Sequence, residues 1–377
     1  MSKAKRIDVV QALRALAATV VVLGHGQGSA NLAQLSPSRV VTFQTGWGVD
    51  LFFLISGFII VHASKALLLT DQPRFQFFSR RVARVLPLYW GVTLFYVIIT
   101  TANGGLHYSW QAIAASFLFF PYDGIEAANG LAFPIYNLGW TLNYEMFFYL
   151  VFALCLTLGQ KRAAGAAIIV MLLLVMIGLV IDIQPTALRF WTQPILLEFC
   201  MGMGLALLHE RGWHIPVAGR IILPILAIIA IAFQPFVSLM PPIDGTTPNS
   251  FVRVLAWGLP MAGVVAAAVL GRPGETIRGF SFARPLGDAS YSLYLLHPLM
   301  IIVLWRMPIL KTWLAETHTA TFLVILLLSS SILSIASFRL FEKPMAKAVT
   351  YILDRLNAAS RQTNNRPLDN KRMNEQA

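Results

Sequence analysis

The feature that most constrains this chain is a succession of apolar stretches, each near the length needed to cross a bilayer. They fall near 7–26, 47–68, 85–102, 138–158, 164–183, 191–208, 217–237, 251–270, 286–306 and 319–341. About 20 apolar residues carry a helix across the hydrocarbon core. In lipid every backbone N–H and C=O must be bonded internally, so a spanning segment is a helix or part of a closed barrel. The short alternating strands of a barrel are absent. With 57% hydrophobic and only 12% charged residues, a water-soluble globule is excluded as well. The expectation is an all-α polytopic integral membrane protein with about ten transmembrane helices over residues 1–350. A polar, disordered cytoplasmic tail is expected over 351–377.

The net charge of +12 has two readings, a nucleic-acid footprint or the basic bias of cytoplasmic loops. Position decides between them. Ten spans put both ends on one side, and with the N-terminus inside most of the 29 Lys and Arg fall in cytoplasmic segments. The opposite side receives Arg39, Arg189, Arg253, Arg306 and Lys311, while Arg14 and Arg339 lie within spans. That asymmetry predicts N-in, C-in and no nucleic-acid partner. The start MSKAKR resembles a signal peptide, but the run that follows is long, holds Arg14 and lacks a small-residue cleavage site. It reads as an uncleaved first span. Cys155 and Cys200 fall within spans and read as packing residues. The longest external loop, 103–137, carries Trp110 and FLFFPY and is expected at the headgroup zone or as a cap over a substrate site.

An ionised group inside a span asks for a partner or a function, because it costs about 2.5–3.5 kcal/mol on insertion scales. Arg14, His25, Glu145, Glu198 and His297 stand out, with Asp50, His62 and Asp182 nearer span ends. Arg14 and His25 are eleven residues apart, which returns them to within about 20° of one helix face and separates them by about 16 Å. The alternatives to function are a snorkelling interfacial histidine at His25 and an ion pair of Arg14 with Glu145 or Glu198. In FFSRRVARVLPLYW, Arg80, Arg81 and Arg84 stand before the third span, with Arg81 and Arg84 neighbours on a helix. Guanidinium forks of this kind suit either a phosphorylated small molecule or anionic lipid headgroups. In LGWTLNYEMFFYLVF, Thr141 and Tyr149 lie four residues either side of Glu145, predicting a hydroxyl-lined cavity with a carboxylate projecting into it. Ser290 and Tyr294 share a face with His297, which reads as a structural, hydrogen-bonded histidine.

No zinc, Walker or dinucleotide fingerprint is present, so no metal site is expected. LISGF at 54–58 is an incomplete nucleophile elbow, and Ser56 reads as a small helix-packing residue.

Taken in order, IDVVQALRALAATVVVLGH, GWGVDLFFLISGFII, FFSRRVARVLPLYW, LGWTLNYEMFFY, LGDASYSLYLLHPL and the closing FEKP resemble the membrane-bound acyltransferase-3 family, over residues 6–347. Within it the chain resembles exopolysaccharide O-acetyltransferases of the succinoglycan type. The resemblance implies transfer of an acyl group, acetyl by analogy, from cytoplasmic acyl-CoA to a hydroxyl of an exopolysaccharide or lipid-linked glycan. It assigns His25 as the essential histidine, Arg81 and Arg84, flanked by Arg80, to the donor, and Arg14 and Glu145 to supporting catalytic roles. Asp50 matches a recurrent acidic position without an assigned role. No bound cofactor is implied; acyl-CoA is the donor substrate. The implied surroundings are the bacterial inner membrane, its lipids and the polysaccharide synthesis machinery. A glycan or lipid transporter and a noncatalytic subunit of such machinery are the competing readings, although the absence of an internal repeat disfavours transport.

Overall fold

The computed structural model describes residues 3–32, 45–102, 108–122, 132–233, 251–272, 280–307 and 319–364. All regular structure in these residues is helical. In chain order the helices are α1 (Lys3–Leu32), α2 (Trp47–Ser64), α3 (Pro73–Ala102), α4 (Trp110–Phe117), α5 (Trp140–Cys155), α6 (Gln160–Val180), α7 (Thr186–Phe190), α8 (Leu196–Glu210), α9 (Val217–Phe233), α10 (Phe251–Val269), α11 (Arg284–Asp288), α12 (Ser290–Arg306), α13 (Thr319–Ser337) and α14 (Lys343–Asn364). Each of the ten predicted stretches holds a helix.

Seven of the described helices are long and apolar enough to cross a membrane, rising to eight if α12 and the helical stretch Ser281–Asp288 before it, bent by 63°, form one span. The others fall short for a physical reason: α8 has 15 residues and α9 has 17, below the roughly 20 of a perpendicular crossing. The chain is a multi-pass membrane protein. Its outer helices turn apolar side chains outward, as lipid requires: Leu173 and Val180 on α6, Ile225 and Ile228 on α9, and Leu328 and Ile332 on α13 are all exposed.

The interior rests on close helix contact. A Cβ on Gly57 of α2 would meet the Phe199 carbonyl oxygen at 2.4 Å, and one on Gly202 of α8 would meet the Leu54 oxygen at 2.2 Å. Only glycine lets these backbones touch, the device that replaces hydrophobic drive between helices in lipid. Around this pair an aromatic cluster forms, with the Phe53 and Phe199 rings 4.6 Å apart and the Phe148 and Phe199 rings 4.4 Å apart.

Two π-helical turns interrupt the helices, Val254–Gly258 within α10 and Phe338–Glu342 between α13 and α14. Each stands two residues before a proline, Pro260 and Pro344. A proline ring clashes with the carbonyl four residues back, here Ala256 and Leu340, and the widened turn relieves that clash while the helix continues.

The cytoplasmic boundary expected at 350 falls inside α14, which runs on to Asn364. The polar look of this stretch hides Val349, Ile352, Leu353 and Leu356, spaced three, one and three residues apart as a helix face requires. Residues 365–377 lie outside the described residues, as do 103–107 and 123–131 of the predicted external loop. The described part of that loop holds α4, with Trp110 73% exposed.

Candidate active site

Five helices converge on a chamber of about 80 Å³. The predicted face of α5 lines it: Thr141, Glu145 and Tyr149 stand one above another at four-residue spacing. Glu145 accepts hydrogen bonds from the Ser56 hydroxyl of α2 (3.0 Å) and from the Tyr149 phenol. Across the chamber the Arg81 guanidinium of α3 sits 5.7 Å from the ring centres of both Phe77 and Tyr149. Tyr149 is thus clasped between a cation and the carboxylate that accepts its proton. Arg14 from α1 and Arg84 from α3 complete the cationic side.

Arg14 and Arg84 also line a wider cleft of about 690 Å³, together with Arg80, Gln11 and Glu342. They stand where chamber and cleft meet. The three arginines predicted for a donor are therefore divided, with Arg80 facing the cleft, Arg81 the chamber and Arg84 both.

Where the sequence left open an ion pair of Arg14 with Glu145 or Glu198, Glu145 instead accepts from Ser56 and Tyr149, and the Arg14 guanidinium donates to Gln11 (3.4 Å). Ser56, read from sequence as a packing residue, is a chamber residue. Nothing local to LISGF signals this, because its partner is 89 residues away.

Glu198 belongs elsewhere. Asp50 forms a fully buried ion pair with Arg253 of α10, 2.7 Å from Arg253 Nη2, and Arg253 Nη2 also donates to the Gly46 carbonyl (3.3 Å). Glu198 lies fully buried beside this pair, its carboxylate next to that of Asp50. Arg253, predicted as a charge on the outer side, is instead 0% exposed and roofed by the Trp257 ring at 4.9 Å.

His25 does not line the chamber. Its Nδ1 lies 2.7 Å from Nε2 of His297 on α12, with the two rings nearly parallel. His297 is fully buried, and its Nδ1 lies 3.1 Å from the Leu293 carbonyl oxygen. A carbonyl only accepts, so His297 Nδ1 carries a proton and, in the neutral ring, His297 Nε2 accepts. The proton between the rings therefore sits on His25 Nδ1. This leaves the lone pair of His25 Nε2 without a partner among the described residues, and the His25 residue is exposed. The histidine read as structural is the group that sets the tautomer of the predicted catalytic one. Tyr294 connects this pair to the chamber: its ring centre is 6.3 Å from that of His297, and its hydroxyl is 2.9 Å from Thr141 Oγ1.

A family model described as an acyltransferase domain matches residues 7–339. The chain belongs to the acyltransferase-3 family. Its multi-pass helices carry an acyltransferase, the leading reading of the sequence, ahead of the competing transporter and noncatalytic ones. It is 30% identical over 304 residues to the exopolysaccharide production protein ExoZ of Rhizobium meliloti (strain 1021), covering 80% of this chain and 89% of that one. It is also 25% identical over 380 residues to the peptidoglycan O-acetyltransferase OatA of Listeria monocytogenes serovar 1/2a, covering 91% of this chain and 56% of that protein. No solved structure matches the chain. The arginines, Glu145 and the histidine pair all lie within the stretch matched by the acyltransferase-3 model.

Proposed function

We propose that this acyltransferase moves an acetyl group from cytoplasmic acetyl-CoA to a hydroxyl of an exopolysaccharide or its lipid-linked precursor at the bacterial inner membrane. In this reading ten helices cross the bilayer with both ends inside, α8, α9 and α12 being the short or bent crossings. The names of the two relatives support a glycan acceptor, and the basic bias of the predicted cytoplasmic segments supports the orientation.

The single observation that carries the reaction type is the His25–His297 pair. A neutral imidazole held with Nδ1 protonated has one basic nitrogen, Nε2, and that nitrogen is accessible. It takes the proton of the acceptor hydroxyl as that oxygen attacks the thioester carbonyl. The carbon–sulfur bond then breaks, and His25 returns the proton to the departing thiolate, giving the ester and free coenzyme A. Arg80, Arg81 and Arg84 hold the phosphates of the donor in this scheme, and its long thin arm passes Arg14 towards the histidine. Glu145 supports from the side, keeping Ser56 and Tyr149 in place beneath Arg81.

The test is the glycan of a deletion strain complemented with wild type or His25→Ala at matched membrane levels, with ester groups read by NMR. Loss of one acyl resonance in both the deletion and the variant is expected. Unchanged ester content with altered export or polymer yield would return the protein to a transport or subunit role.

A further inference from the structure

The cleft below Arg14 and Arg84 has a second wall, and it comes from the helix that looked like a tail. Lys343, Lys347 and Tyr351 of α14 stand four residues apart on one ridge, and all three line the cleft opposite Arg80 and Arg84. The roll of this helix is fixed from two sides. Met345, Ile352 and Leu356 form an exposed apolar stripe about 180° from the lysine ridge, facing away from the cleft. Asn357 hydrogen-bonds Gln72 at the start of α3, so α14 lies along the helix that carries the arginines.

The charges do not cancel. Five cations line the cleft, Arg14, Arg80, Arg84, Lys343 and Lys347, against Asp288, Glu342 and Asp354. Glu342 accepts a hydrogen bond from the Ser292 hydroxyl (2.6 Å) while its charge faces Arg84 and Arg14, and Asp288 lies 3.9 Å from Arg284. None of the five cations is within 4 Å of a carboxylate recorded as its ion-pair partner among the described residues. Cations lining one cleft from two helices suit a ligand with several phosphates, and the Tyr351 ring at the rim, with the Arg355 guanidinium 5.1 Å from its centre, suits a base.

We propose that α14 supplies the outer half of a nucleotide-phosphate site, with Lys343 and Lys347 binding phosphate oxygens opposite Arg80 and Arg84, and Tyr351 flanking the base. This rests on the donor reading above and adds residues to it: the arginines alone do not hold the donor. The same chemistry would also accept the phosphate of an anionic lipid headgroup, and the experiment separates the two.

Full-length protein is placed in phosphatidylcholine nanodiscs, and coenzyme A binding is measured by calorimetry. Lys343→Ala/Lys347→Ala should weaken binding by about tenfold or more, since charge-assisted hydrogen bonds are lost. Lys343→Arg/Lys347→Arg should restore it, and Lys161→Ala, an exposed cation outside the cleft, should bind as wild type. Equal ligand-free melting temperatures certify folding, and the Arg variant keeps the test valid if the Ala variant is unstable. Wild type and double Ala variant binding coenzyme A equally would overturn the proposal while leaving the donor reading intact. Lysine-dependent binding of ATP without binding of coenzyme A would keep the site and refute the donor. Loss of wild-type coenzyme A binding when phosphatidylglycerol replaces phosphatidylcholine, with ATP also excluded, would assign the lysines to lipid and overturn the nucleotide site.

Discussion

His297 does not itself line the chamber, yet replacing it should slow the reaction by a definable amount. Its Nε2 accepts the Nδ1 proton of His25 at 2.7 Å, while its own Nδ1 is tied to the Leu293 carbonyl. His297→Phe keeps the ring volume and removes the acceptor, so the bond that selects the His25 tautomer is lost. A neutral hydrogen bond of this kind contributes about 0.5–1.5 kcal/mol. With about 1.4 kcal/mol per factor of ten, kcat should fall by roughly two- to tenfold through loss of the correctly protonated, correctly oriented His25. Removing the base itself, His25→Ala, should cost about 10²–10⁴-fold. His297→Gln, whose side-chain oxygen can accept the same proton, should retain more activity than His297→Phe. The assay is acyl-CoA turnover in membranes at matched protein levels, with KM for the donor followed separately and expected to stay constant. Since the two rings act as a unit, His25→Ala/His297→Phe should be no slower than His25→Ala alone. A His297→Phe enzyme at full rate would reduce His297 to packing. One as slow as His25→Ala would mean that His297 itself handles the proton, and the tautomer reasoning would be refuted.

Other outcomes follow from the same geometry. Arg81→Ala/Arg84→Ala should raise KM for acyl-CoA at least tenfold more than Arg74→Ala on the same helix, measured by donor titration; equal effects would reduce the arginines to general electrostatics of α3. Asp50→Ala should destabilise the protein in detergent by about 3 kcal/mol, since buried Arg253 loses the carboxylate it is hydrogen-bonded to and keeps only the neighbouring Glu198 charge. Glu198→Gln should cost far less, but the double change should cost more than the sum, because Glu198 is the nearby carboxylate that replaces Asp50; thermal unfolding of the four proteins shows additivity if this is wrong.

The helical architecture was legible because a lipid environment makes one rule dominant: length and apolarity set the spans, and helices appear in all ten predicted stretches. One face of the site was legible for a similar reason. Thr141, Glu145 and Tyr149 repeat at four residues, and a helix must stack them. What could not be read are partnerships made across the fold. His25 and His297 are 272 residues apart, Asp50 and Arg253 are 203 apart, and no local pattern announces either contact. Ser56 was misread because a small residue in a span serves packing and hydrogen bonding equally well. Lys343 and Lys347 were absorbed into the topological charge bias, which explains their side of the membrane but not the ridge they share. The tail beyond 350 was read by its polarity, although its sparse apolar residues keep a helical period to Leu356.

The central claim is that a donor on the arginine side meets an acceptor through His25. Its most direct test uses inverted membrane vesicles from a strain making the polysaccharide, with radiolabelled acetyl-CoA supplied only outside, on the face that was cytoplasmic. Label should enter the glycan enclosed in wild-type vesicles, and His25→Ala vesicles should incorporate almost none while still binding coenzyme A. Equal labelling by His25→Ala vesicles, or labelling only when donor is supplied on the opposite face, would contradict the account.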